Sequence, residues 1–268
     1  MFHVHAFNPH PMLRHCVDSY LIVSAEQPEE IIENTFLPNI TQSLILGLDG
    51  GRTVYDCNHS EYCANHFIAG PNDEICRAKI FPGMKKMIIN FMPGGFFKIF
   101  RLAANQFANR SHDAEELIGD GVEEITNQLK DSHLSRKIEL VDNWLLEQLH
   151  RRKRADRNVD EAVRLIERYR GNISLRELEQ ATYTTKRTLE RHFLEQVGLH
   201  PKTFSRLVRF NGVIRFIESN LNVKWRQLAD LFGYYDQSHF IHEFKTLTGG
   251  LPQDYFSLKA DFEKILQV

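Results

Sequence analysis

LADLFGYYDQSHFIHEFKTLTGGLP, residues 228–252, decides the fold of the second half of this chain. Its first segment carries apolar residues at helical spacing and is broken by Gly233. Asp236 then offers an N-cap, and Phe240 and Phe244 form an i,i+4 apolar pair behind it. Gly249 stops that helix, and Pro252 opens another. The same order occurs earlier, in TKRTLERHFLEQVGLHPKTFSRLVRF, residues 185–210. There Thr185 is the cap, Leu189 and Phe193 the apolar pair, Gly198 the stop and Pro201 the restart. Leu178 matches Leu228 fifty residues on, whereas Leu189, Phe193, Gly198 and Pro201 match Phe240, Phe244, Gly249 and Pro252 fifty-one on. The turn of the second copy is therefore one residue longer. Each copy reads as a helix, a tight turn and a capped second helix, a helix-turn-helix. One copy alone would fit many helical hairpins; two in register are specific.

Between the copies, PKTFSRLVRFNGVIRFIES (201–219) reads as one helix of nineteen residues. At 1.5 Å per residue it spans roughly 28 Å. Such a spacer can hold two recognition helices about one DNA turn apart, roughly 34 Å, in successive major grooves. Upstream, VDEAVRLIERY (159–169) is amphipathic, and Asn172 and Ser174 are turn and cap residues before SLRELEQA.

The run HRRKRADRN (150–158) is almost entirely polar and reads as an exposed linker. Before it, LIV (21–23), SLILGL (43–48), HFIAG (66–70) and KMIINFM (86–92) are short apolar runs between Gly/Pro turns, the texture of a β-rich domain. LIGDGVEEITNQL and IELVDNWLLEQL then change to helical period within 113–149. The expected fold class is α+β. A β-rich, barrel-like domain with following helices occupies 1–149, a basic linker 150–158, and an all-α domain of two helix-turn-helix units 159–268.

Charge follows the same division. Residues 1–149 carry a net −8 and residues 150–268 a net +6, although the chain totals −2. A basic second half suits a polyanionic partner. No apolar run is long enough to span a membrane, and the opening residues lack a secretory pattern, so a cytoplasmic protein is expected. Cysteines 16, 57, 63 and 76 form no C-x-x-C pair and read as free thiols.

The second half resembles the AraC/XylS-type transcription regulators over roughly 157–256. The Gly-aromatic turn, the Gln-Ser pair opening the helix, the two Phe residues, and the Gly and Pro that follow carry the resemblance. The leading part is similar to the effector or oligomerisation domains of that family in LPNITQSLILGL, FIAGP and NFMPGGFFKIFRLAANQFANRSHDAEELIG. The resemblance implies that Lys186, Arg187, Glu190 and Arg191 in the first unit, and Gln237, Ser238, His239 and His242 in the second, face DNA. Arg can pair bidentately with guanine and Gln with adenine. His242 stands where the family often has Arg, which weakens phosphate or guanine contact. Glu190 and Glu243 either repel nearby phosphates or order a neighbouring Arg. The implied partners are double-stranded DNA in two adjacent major grooves, a small-molecule effector, RNA polymerase and a second copy of the chain. An activator is expected, with no cofactor and no enzymatic activity.

Rival chemistry is limited. HFIHE (239–243) has closely spaced His and Glu, but the H-E-x-x-H order and a third ligand are missing. The four histidines of HVHAFNPHPMLRH (3–15) read as an irregular, exposed arm. PGGFF (93–97) lacks the Lys-Ser/Thr of a phosphate loop and reads as a tight strand-to-helix turn. An alkylation-response regulator with a zinc-held, methyl-accepting cysteine needs four paired cysteines, which these spacings do not supply. A DNA-binding regulator governed by a protein partner or by its own abundance is the remaining alternative.

Overall fold

The computed structural model describes residues 2–25, 31–151, 157–219 and 225–252. Its leading part has three layers. One antiparallel sheet runs in the order β1 (Phe2–Phe7), β2 (Val17–Ala25), β9 (Lys85–Phe91), β4 (Gln42–Gly47), β7 (Phe67–Ala69) and β10 (Ser111–Asp113). A second runs β3 (Ile32–Phe36), β8 (Cys76–Ile80), β5 (Val54–Asp56) and β6 (Glu61–Tyr62). The barrel-like expectation thus resolves into two sheets. Helices α1 (Gly95–Phe100), α2 (Ala114–Ile118), α3 (Gly121–Lys130) and α4 (Leu134–His150) cover the outer face of the larger sheet.

Period-two patterning assigns the faces. Leu44 and Leu46, with Met87, Ile89 and Phe91, point toward the helices, where Phe96, Phe100 and Phe107 complete an apolar core. Ile45 and Ile88, one residue out of phase, point toward the smaller sheet. Lys86 shares that inner face and is 2% exposed. Its ammonium donates to Asp49 Oδ1 at 2.9 Å, Asn65 Oδ1 at 2.9 Å and the Gly51 carbonyl at 3.1 Å, so its charge is buried with partners.

The histidine-rich opening is not an irregular arm. Residues 2–7 pair antiparallel with β2, with His3 opposite Ser24 and His5 opposite Ile22. Alternation explains it: His3 and His5 are exposed while Val4 between them is half-buried against the intersheet cluster. PGGFF does form a tight turn from β9 into α1.

The second part is all helical: α5 (Arg157–Arg168), α6 (Leu175–Thr182), α7 (Lys186–Val197), α8 (Pro201–Ser219), α9 (Trp225–Leu231) and α10 (Gln237–Thr248). Phe193, Phe204, Phe210, Phe240 and Phe244 anchor its core, and Leu37 and Ile40 of the leading part pack against it. Lys98 on α1 meets Asp160 on α5 at 2.7 Å. Part of the expected linker (152–156) and all but the start of a helix opened by Pro252 lie outside the described residues. Among the described residues no helix is long and apolar enough to cross a membrane.

Candidate nucleic-acid interface

The duplication seen in the sequence is a duplication of local chemistry. α7 and α10 are each twelve residues, fifty-one apart at both ends. Thr185 and Asp236 cap them, accepting the backbone N–H of Thr188 and His239 respectively. These bonds satisfy amides that the first helical turn otherwise leaves open. Gly198 (φ 87°) and Gly249 (φ 72°) end them in the left-handed region, where glycine carries no Cβ penalty. The supporting helix α6 starts with a reciprocal capping box between Ser174 and Glu177. Leu178, Leu189 and Phe193 in one unit, and Leu228, Phe240 and Phe244 in the other, are all buried.

Burying those faces turns the opposite faces outward. Lys186, Arg187 and Arg191 are exposed on α7, and Glu190 is half-exposed. Gln237, Ser238, His239 and His242 are exposed on α10. Arg191 Nη2 lies 2.7 Å from His192 Nε2. His239 is the most constrained of the eight. Its Nδ1 accepts the Tyr235 N–H at 3.4 Å, which leaves the proton of the neutral ring on Nε2, 4.0 Å from Glu243. Thus α7 presents three permanent cations along its outer face, whereas α10 presents one, Lys245, in its last turn.

Glu243 does not lie on the reading face. It is 8% exposed and sits within the buried stripe Phe240, Glu243, Phe244 and Leu247. Both carboxylate oxygens accept from Arg209 Nη2 at 3.3 Å, and Arg206 Nε lies 3.7 Å away. Of the two roles open to this residue, ordering an arginine is the one observed. The Arg209 guanidinium also stacks on the Tyr234 ring, 4.6 Å from its centroid. Burial first, and then the Glu243 charge, push the Tyr234 hydroxyl above its ordinary range, so it stays neutral. Sequence reading missed Arg209, which contributes from α8, thirty-four residues away.

Residues 178–257 match a family model described as a helix-turn-helix domain. The match spans both helix-turn-helix units, α7 and α10 included. A second family, described as a domain of unknown function (DUF6597), matches residues 5–113. No curated protein matches the chain in sequence. Among solved structures, ToxT from Vibrio cholerae is similar at 13% identity and a TM-score of 0.43, over 95% of this chain and 96% of that one. Wild-type ToxT with bound unsaturated fatty acid is similar at 12% identity and a TM-score of 0.45, over 89% and 95%. ToxT bound to (E)-4-(8-methylnaphthalen-1-yl)but-3-enoic acid is similar at 13% identity and a TM-score of 0.44, over 95% and 97%.

The helix-turn-helix domain is not suspended free of the leading part. Its helix α7 packs against α1 and the 3₁₀ turn Ala104–Gln106. A Cβ placed on Gly198 would lie 2.9 Å from the Ala104 carbonyl oxygen and 3.2 Å from Pro71 Cγ. One on Gly249 would lie 3.5 Å from Ile75 Cδ1. The C-terminal ends of both helices therefore lie near the turn between β7 and β8, and their N-terminal ends lie away from it.

Within HFIHE, Glu243 is committed to Arg209. Among the described residues no group of three or more His, Cys, Asp or Glu side chains could hold a metal ion. Burial pushes the Cys16 and Cys76 thiols up to about 11 and also raises Cys63. Thiols held protonated are poor nucleophiles.

Proposed function

We propose that this chain is a sequence-specific transcription regulator that seats α7 and α10 in two adjacent major grooves of one DNA duplex. The observation that carries the reading is the pairing of two identically capped twelve-residue helices, each with its polar face exposed, across the nineteen-residue helix α8. Arg187 and Arg191 supply the strongest base and phosphate contacts, with Lys186 and Glu190 beside them. Gln237, Ser238, His239 and His242 read the second groove with shorter, neutral hydrogen bonds. The test is selection of DNA fragments by the purified protein, followed by footprinting. The expected product is a site with two specified segments one helical turn apart on one face of the duplex. A single specified segment would refute the two-groove arrangement.

The leading part is proposed to respond to a small effector and to support dimerisation. Contact of the β7–β8 turn with both recognition helices gives such a response a route to DNA. A cavity of about 530 Å³, where Ile40 meets Val208, Phe216 and Phe232 beside Arg170 and Arg215, is of a size that holds small ligands. Raised melting temperature in a ligand screen supports an effector, and an unchanged one across the screen favours control by a protein partner or by abundance. Homodimerisation through the helical segment before the linker, activation through RNA polymerase and a cytoplasmic location complete the proposal. Sedimentation at micromolar concentration tests the first of these.

A further inference from the structure

Beneath α10, a charged cluster joins elements that the duplication keeps apart. Asn172, in the turn between α5 and α6 of the first unit, accepts from Arg209 Nη1 at 3.3 Å. Its side-chain amide donates to the Phe232 carbonyl in the turn of the second unit at 3.0 Å. The approach is close: a Cβ on Gly233 would lie 2.6 Å from Asn172 Oδ1. Arg209 itself belongs to α8, and its other terminal nitrogen holds Glu243 on α10. One guanidinium thus touches the first unit's turn, the ring of Tyr234 and the second recognition helix.

We propose that Arg209 and Glu243 are positioning residues for sequence reading by the second unit. They set the tilt of α10 on α8 and the direction of His239, and Asn172 ties that setting to the first unit. The proposal rests on the reading that α10 enters a DNA groove. Three physical points support it. A carboxylate inside an apolar stripe must be paired where it lies, so Glu243 has one stable arrangement rather than several. The planar guanidinium meets the carboxylate and the Tyr234 face at once, which fixes an angle as well as a distance; a lysine ammonium fixes neither. Finally, Glu243 is one helical turn from His239, whose Nε2 faces it at 4.0 Å, so a shift in the carboxylate reaches the exposed face directly. In the first unit the position equivalent to Glu243 is His192, so this device belongs to the second unit only.

The experiment uses the full-length protein and the DNA fragment it selects, with competitor fragments in which the first or the second specified segment is scrambled. Arg209→Lys and Glu243→Gln keep size and most hydrogen bonding. Each is expected to lower discrimination against the scrambled second segment at least tenfold, leaving discrimination at the first within twofold. Asn172→Ala, at the outer edge of the cluster, is expected to give a smaller loss of the same kind. A merely stabilising pair would lower the melting temperature without this segment-specific loss, and that result overturns the proposal. His242→Ala serves as the separate check on α10. If it lowers second-segment discrimination while Arg209→Lys and Glu243→Gln do not, the positioning role is refuted and α10 still reads DNA. If wild-type protein ignores the second segment, both ideas fall together.

Discussion

Arg191 and His242 occupy the same position of the duplicated unit, fifty-one residues apart, and both are exposed. Exchanging their chemistry isolates the value of one charge at one groove. Each phosphate neutralised by a protein cation contributes about 0.9 to the slope of log affinity against log salt. Between 50 and 200 mM salt, a fourfold change, one such contact is worth about 3.5-fold in affinity, and three are worth about 40-fold. Lys186, Arg187 and Arg191 are the three exposed cations of α7. Arg191→His should therefore flatten the slope by about 0.9 and leave roughly a 12-fold contribution from the remaining pair. His242→Arg should steepen the slope by the same amount, because it adds one cation to the exposed face of α10. Fluorescence anisotropy with the selected DNA fragment at several salt concentrations measures both slopes. Equal slopes for wild type and the two variants would refute the placement of these positions at the DNA backbone.

Other perturbations test the leading part. Lys86→Met leaves the Asp49 carboxylate buried with only the Thr53 hydroxyl and backbone donors such as the Lys85 N–H. Breaking a buried pair costs about 3–5 kcal/mol, and the remaining donors place this one near the lower end. Urea unfolding should show a loss of about 3 kcal/mol, largely recovered in Lys86→Met/Asp49→Asn; no recovery would mean packing, not charge, is at stake. His66 accepts the Gly47 N–H on Nδ1, and burial, aided by the Lys130 and Lys86 charges, pushes its pKa down to about 4. An unfolded histidine near 6.5 binds its proton first, so stability is full above that pH and falls as pH drops toward 4. The loss between pH 7 and pH 5 should be about 2 kcal/mol and absent in His66→Gln. Equal pH dependence in the two proteins would remove His66 as the cause. Cys16 should react slowly with a disulfide reagent at pH 8 in the native state and quickly in urea; fast native labelling would contradict its burial.

How much of this could be read beforehand depends on the range of the interaction. Thr185, Asp236, Gly198 and Gly249 act on amides within their own helical turn, so both recognition helices were legible to the residue. The strands β2, β4, β7 and β9 were visible because apolar runs there lie between turn residues. β3 (IENTF) and β8 (CRAKI) carry no such run and owe their existence to pairing with each other across forty-odd residues. β1 was hidden by histidines at its exposed positions, although Val4 between them kept the alternation. Glu243 is the instructive miss. Its spacing from Phe240, Phe244 and Leu247 marks a core position, and a charge there demands a buried counter-charge. The sequence carried that demand; which arginine meets it was settled only by the packing of α8.

The two glycine stops have a mechanical consequence. Pro71 and Ile75 are four residues apart in one turn, and they meet equivalent points of the two recognition helices. The duplicated unit stands on that turn as on a common floor with two feet. A displacement of the floor moves both feet in the same sense, so it alters how the pair is presented and leaves the distance between them to α8. A signal arriving through the leading part would therefore act as a switch on the pair as a whole, and DNA sites of different spacing should respond to it alike.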